Sequence, residues 1–123
     1  MLRTALKECA KSTCTNQHGS VVCKGKRVLG KGHNSYRSHP RWGTRKVHSE
    51  HGYEFMTIHA EAAAIRDAVR KGINVVGATI YVTRTGSRLS KPCNECQIMI
   101  ESYGIRKVVY TDSNGNEITT WPL

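Results

Sequence analysis

Acidic residues are missing from a long part of this sequence: between Glu8 and Glu50 there is none. The same interval carries Lys11, Lys24, Lys26, Arg27, Lys31, Arg37, Arg41, Arg45 and Lys46, and the 123-residue chain has a formal charge of +10. Such a field favours phosphate-bearing partners, nucleotides or nucleic acid; a solvated basic surface that only aids solubility is the plainer alternative. Long apolar runs are lacking too. None approaches membrane-spanning length, and the opening residues MLRTALKECAKST lack the apolar core of a signal peptide. The expectation is a soluble, cytoplasmic protein without a membrane partner. Internal repeats and low-complexity segments are absent. The five cysteines are Cys9, Cys14, Cys23, Cys93 and Cys96, an odd number without a secretory signal, which argues against a disulfide framework. Their one close pair, Cys93-x-x-Cys96, suits metal binding or redox chemistry in a reducing compartment. The length allows one domain, 1–123, with a real core.

Periodicity sketches the elements that are present. Leu2, Ala5, Leu6, Cys9 and Ala10 recur at helical spacing, so residues 2–13 read as a helix. VVCKG and RVLGKGHN read as two strands of a hairpin with Gly25 in the turn. Residues 35–58 are polar and irregular, broken by Pro40, Gly43 and Gly52, and read as a long loop of the kind that often carries function. A helix follows from about 59 to 71, stopping at Lys71-Gly72. ATIYVTR is a strong buried strand, TGSRLSK a loop, residues 93–103 a helix closing at Gly104, and RKVVYT a further strand. EITTWPL reads as a final edge strand, limited by Pro122. Strands alternating with helices after an early hairpin predict an α/β sandwich around a mixed sheet.

One stretch resists a packing explanation. In HAEAAAIRDAV, residues 59–69, the alanines with Ile65 and Val69 make a good helix, but His59 and Glu61 add little to its packing. Downstream, PCNEC places Cys93 and Cys96 where another helix begins. A helix N-terminus favours thiolates, which bind borderline metals. Two helix mouths facing each other would present one nitrogen and two sulfurs to a single ion. Three protein ligands and an open position is the arrangement of a catalytic zinc. His18, His33, His39, His48 and His51 leave a fourth ligand open, and Cys9, Cys14 and Cys23 lack paired ligand spacing. Beside such a metal, Glu61 suits a proton shuttle from activated water to substrate; by itself it would be an ordinary acidic residue favouring the helix dipole.

These motifs resemble the cytidine deaminase superfamily, in the branch with His-Ala-Glu. The resemblance runs through KSTCTNQHGSVVCKGKRVLGKGHNS, the helix from HAE, ATIYVT, PCNEC and GIRKVVYTD, nearly the whole chain. It implies a three-layer α/β/α sandwich with a central mixed five-stranded sheet. It implies a Zn2+ ion on His59, Cys93 and Cys96, with Glu61 as the catalytic proton carrier. Asn34, in GHN, matches a family asparagine that hydrogen-bonds the substrate, and backbone groups near the helix mouths, Ala60 among them, complete the pocket. PCNEC and SYGIRKVVY look most like deoxycytidylate deaminases. A departure is the stretch Arg84–Lys91 between Thr83 and Pro92, longer than relatives usually have.

The implied reaction is hydrolytic deamination of a cytosine nucleotide, dCMP to dUMP with release of ammonia. Arg84, Arg88 or Lys91 is expected to meet a substrate phosphate, with Arg37, Arg41 and Arg45 as second choices and Trp42 or Tyr36 available for stacking. A solvated loop is the rival for these cations. Relatives commonly form homo-oligomers, so the same is expected here. Two other readings stand beside the first: a deaminase acting on cytosine or adenine in single-stranded DNA or RNA, and a noncatalytic zinc-stabilised nucleic-acid-binding module. Glu61 counts against the last.

Overall fold

Consecutive buried apolar residues in VVC, apolar residues in TIYVT, and glycines in place of side chains in RVLGKGH build a sheet onto which helices can settle closely. The computed structural model describes residues 2–12, 17–36, 44–48, 54–85, 89–114 and 116–120. Its helices are α1 (Leu2–Cys9), α2 (Ala60–Arg70) and α3 (Asn94–Ser102). Its strands are β1 (His18–Lys24), β2 (Arg27–His33), β3 (Ser35–Tyr36), β4 (Thr44–His48), β5 (Glu54–Ile58), β6 (Thr79–Arg84), β7 (Lys107–Thr111) and β8 (Glu117–Thr120). The main sheet has five strands in the order β2-β1-β6-β7-β8. Only β6 and β7 run parallel, which makes the sheet mixed as expected.

The two sheet faces follow from strand alternation. Val22, Ile80 and Val82 share one face and pack with Ala64, Ile65 and Ala68 of α2 and Ile100 of α3 into the main core. Gly19 belongs to the other face, where a Cβ atom would lie 2.7 Å from the Cys9 nitrogen of α1. Helices therefore cover both faces in three layers.

Gly30 and Gly32 set the closest approach. A Cβ on Gly30 would lie 2.8 Å from the Ala68 nitrogen, and one on Gly32 would lie 2.6 Å from the Ala63 carbonyl carbon. Real Cβ atoms do not tolerate such distances, so these glycines let α2 lie directly on β2. Their order also orients the helix: moving along β2 toward its C-terminal end leads toward the first turn of α2.

The expected long loop over 35–58 is corrected. Its described residues form a second antiparallel sheet, ordered β3-β5-β4, with Thr44 opposite Ile58 and His48 opposite Glu54. TRKVH holds a single apolar residue, Val47, so backbone pairing rather than an apolar stripe defines this strand. A periodicity reading detects stripes and passes over such pairing. Pro40, Gly43 and Gly52, the expected breakers, lie outside the described residues.

The remaining elements agree with expectation at slightly narrower bounds. Helix α1 ends at Cys9 rather than near residue 13, and the final strand comprises Glu117–Thr120, with 121–123 outside the described residues. Among the described residues, no helix is long and apolar enough to cross a membrane.

Candidate active site and metal centre

The C-terminal ends of parallel strands in an α/β sheet leave a crevice where the following helices begin. Both metal-type motifs open helices there. His59 is the N-cap of α2 and Cys93 the N-cap of α3, and both have extended backbone. Each carbonyl accepts the first helical hydrogen bond, from Ala63 N–H at 3.0 Å and from Gln97 N–H at 2.9 Å. Neither side chain caps its own helix. Instead they turn toward each other.

His59 Nδ1 lies 2.9 Å from Cys96 Sγ and 3.8 Å from Cys93 Sγ. The three ligand-type atoms all lie within 4.8 Å of one another, and no fourth His, Cys, Asp or Glu joins them among the described residues. A nitrogen and a sulfur on one tetrahedral zinc stand about 3.6 Å apart, given bond lengths near 2.05 and 2.3 Å. The observed distances bracket that value.

The donor set fits zinc chemically as well as sterically. Burial pushes the Cys96 thiol pKa far up, and the neighbouring Glu61 and Cys93 charges push it the same way. A buried thiolate beside a carboxylate needs a cation, and a divalent metal reverses this local balance. Glu61 itself is only 4% exposed, in the first turn of α2. The helix dipole would serve an exposed carboxylate equally well, so burial beside the ligand set is the informative fact.

Asn34 stands just past β2 and is held firmly. Its Oδ1 accepts from the Ser12 hydroxyl at 2.6 Å and from the His18 backbone N–H at 2.9 Å. Ala60 is buried at the first helical position of α2, where a backbone N–H has no partner within its own helix. Arg84 ends β6, half-buried, and Lys91 is exposed two residues before Cys93. Arg88, Arg37, Arg41, Trp42, His39, His51 and Cys14 lie outside the described residues. Arg45 and His48 are in β4 and Tyr36 in β3.

Cys9 and Cys23 are buried and do not join the ligand set. Burial pushes the Cys9 thiol up to about 11, and its Sγ lies 3.6 Å from the Thr83 carbonyl oxygen.

Two residues that no motif marks shape the site. His18, at the start of β1, has its imidazole pKa lowered chiefly by burial. Glu61 opposes that shift, while Arg84 and His59 add to it. Ser90 is a buried clamp between the diverging ends of β6 and β7. Its hydroxyl donates to the Val82 carbonyl at 2.8 Å and accepts from the Thr111 N–H at 2.8 Å. Its own N–H donates to the Thr111 carbonyl at 2.9 Å. Gln97 adds a bond from Nε2 to the Pro92 carbonyl, 2.8 Å long. The chain is thus fixed on both sides of Cys93. Ser90→Ala removes two buried hydrogen bonds, to the Val82 carbonyl and from the Thr111 N–H, so we expect about 2 kcal/mol of lost stability. Thermal melts should show a clear drop in Tm, while Ser90→Thr keeps the hydroxyl and restores part of it.

Comparison with known proteins agrees with this geometry. Residues 1–112 match the family described as the cytidine and deoxycytidylate deaminase zinc-binding region. Deoxycytidylate deaminase of Enterobacteria phage T4 is 32% identical over 112 residues, covering 85% of this chain; the chain spans only 55% of that relative's length. The crystal structure of dCMP deaminase from cyanophage S-TIM5, in complex with dCMP and dUMP, superposes with a TM-score of 0.69 at 25% identity. That match covers 90% of this chain and 77% of the other. Cytidine deaminase from Burkholderia pseudomallei shares the fold, with a TM-score of 0.69 at 22% identity over 98% of this chain and 89% of its own. With the family match spanning nearly the whole chain and the two helix mouths meeting as they do, the protein belongs to the cytidine and deoxycytidylate deaminase zinc-binding family.

Proposed function

We propose that this protein hydrolyses the 4-amino group of a cytosine nucleotide, converting dCMP to dUMP and ammonia. The observation that carries the reading is a buried carboxylate, Glu61, beside a His/Cys/Cys ligand set at two facing helix mouths. Support for the substrate comes from the phage T4 relative, named deoxycytidylate deaminase, and from the cyanophage dCMP deaminase crystallised with dCMP and dUMP.

His59, Cys93 and Cys96 hold the zinc. When bound, zinc supplies Lewis acidity and lowers the pKa of water to near 7. Glu61 takes a proton from the water that attacks C4 and delivers it to N3. It then carries the second proton of that water to the amino group, which leaves as ammonia while C4 becomes a carbonyl. Asn34, pinned by Ser12 and His18, holds the nucleoside, and the backbone N–H of Ala60 offers a donor at the helix mouth. Arg84 takes the phosphate, with Lys91 as a second candidate; Arg88, the other expected cation, lies outside the described residues. The same reading includes a homo-oligomeric state and a cytoplasmic setting.

Guanidinium contacts to phosphate are charge-assisted and strong. Arg84→Ala should therefore lower kcat/KM for dCMP about 30-fold and leave deoxycytidine turnover unchanged, from the roughly 2 kcal/mol typical of such bonds. Steady-state kinetics on both substrates checks this.

A second reading, deamination within single-stranded DNA or RNA, is favoured by the acid-free interval after Glu8. Zinc-loaded protein incubated with dCMP, deoxycytidine, CMP and a cytosine-containing oligonucleotide separates the two. Turnover of dCMP well above deoxycytidine supports the nucleotide enzyme. Turnover of the oligonucleotide alone, with binding that weakens steeply in salt, replaces it by the polynucleotide reading.

A further inference from the structure

Sheet register places His18 beside this site, although neither zinc motif includes it. In the antiparallel pairing of β1 with β6, His18 lies opposite Arg84, Ser20 opposite Val82 and Val22 opposite Ile80. Directly opposed residues project to the same face, and successive even positions keep to it. Val22, Ile80 and Val82 are core residues beneath α2 and α3. His18 and Arg84 therefore share the face that carries the metal ligands.

Their end of the sheet is fixed independently. The approach of Gly30 to Ala68 and of Gly32 to Ala63 runs toward the first turn of α2, where His59 and Glu61 stand. Asn34 follows directly, and its N–H donates to the His18 carbonyl at 3.2 Å. Asn34, His18 and Arg84 thus form a polar row across the ends of β2, β1 and β6. Deeper positions on this face are Gly, Ser or aliphatic. The charged groups whose fields reach the His18 imidazole are Glu61, Arg84 and His59, all from the site.

We propose that His18 contacts the nucleoside part of the substrate and helps position it in this site. The inference rests on the cytosine-nucleotide reading above. An imidazole offers a flat ring and a directional donor or acceptor, suited to the uncharged groups of a nucleoside, whereas the adjacent guanidinium suits phosphate. His18 stands between Asn34, assigned to the nucleoside, and Arg84, assigned to the phosphate.

Two measurements test this. In zinc-loaded wild-type protein with labelled histidine, the imidazole signals of His18, assigned by their loss in His18→Asn, should shift on saturation with dUMP. In kinetics, His18→Val should lower kcat/KM about tenfold for both dCMP and deoxycytidine, with zinc content unchanged. Unshifted His18 signals while dUMP binds would overturn the contact and leave the deaminase reading intact. A penalty confined to dCMP would overturn the assignment to the nucleoside. Failure of dUMP to bind at all, with no cytosine nucleotide turned over, would overturn both readings.

Discussion

Replacing Glu61 by Gln should cut kcat for dCMP about 1,000-fold while zinc content stays that of the parent. Glutamine keeps the shape and one acceptor oxygen but cannot carry a proton at neutral pH. Positioned general acid–base groups contribute about 10²–10⁴-fold, and Glu61 serves two proton transfers in the proposed reaction. The competing role, a first-turn carboxylate favouring its helix dipole, predicts a different pattern: about 0.5 kcal/mol of stability lost and activity retained. These magnitudes are far enough apart that one pair of assays, single-turnover dUMP formation and a thermal melt, decides between them. Parent-like turnover by Glu61→Gln would leave the cluster as a structural metal site.

The second large effect concerns a residue with no side chain. Gly32→Ala should lower stability by about 3 kcal/mol and Tm by about 10 °C, and should weaken zinc binding as well. The added methyl would sit 2.6 Å from both the Ala63 carbonyl carbon and its Cβ, with the Ala64 nitrogen closer still. Those are atoms of helix α2, so relief requires the helix to move, and His59 moves with its first turn. Gly25→Ala makes a useful contrast. Nothing lies within 4 Å of that Cβ position, and its cost comes only from a φ of +58°. About 1 kcal/mol is expected there, without any effect on zinc. Melts with zinc competition against a chelator test both. Equal effects from the two glycines would contradict the close seating of α2 as the feature that positions the metal site.

The contrast between these glycines also shows what the sequence discloses and what it withholds. The clustering of His59, Cys93 and Cys96 beside Glu61 was legible because two short motifs, each opening a helix, hold metal-type ligands and a carboxylate. Helix α2 and strand β6 were legible because their apolar residues recur with clear periods. The hairpin turn at Gly25 announced itself for the same reason, as a glycine between two β-like runs. Strands β4 and β5 did not, since TRKVH holds one apolar residue and EFMTI shows no strict apolar–polar alternation. Ser90 and Ser12 were invisible for another reason: their partners are Val82, Thr111 and Asn34, distant in the chain. Cross-strand register, which aligns His18 with Arg84, is likewise a property of the folded sheet. Charge composition alone raised the expectation of a phosphate-bearing partner without naming a residue for it, whereas sheet register puts Arg84 on the face that carries the ligand set.

The most direct test of the central claim is to strip the protein of metal and titrate zinc back while following dUMP formation from dCMP. Activity is predicted to rise from background and to level off at one zinc per chain, with Cys96→Ser showing no such rise. Full zinc occupancy with Glu61 intact, and no uracil product from dCMP, deoxycytidine, CMP or the oligonucleotide, would contradict it.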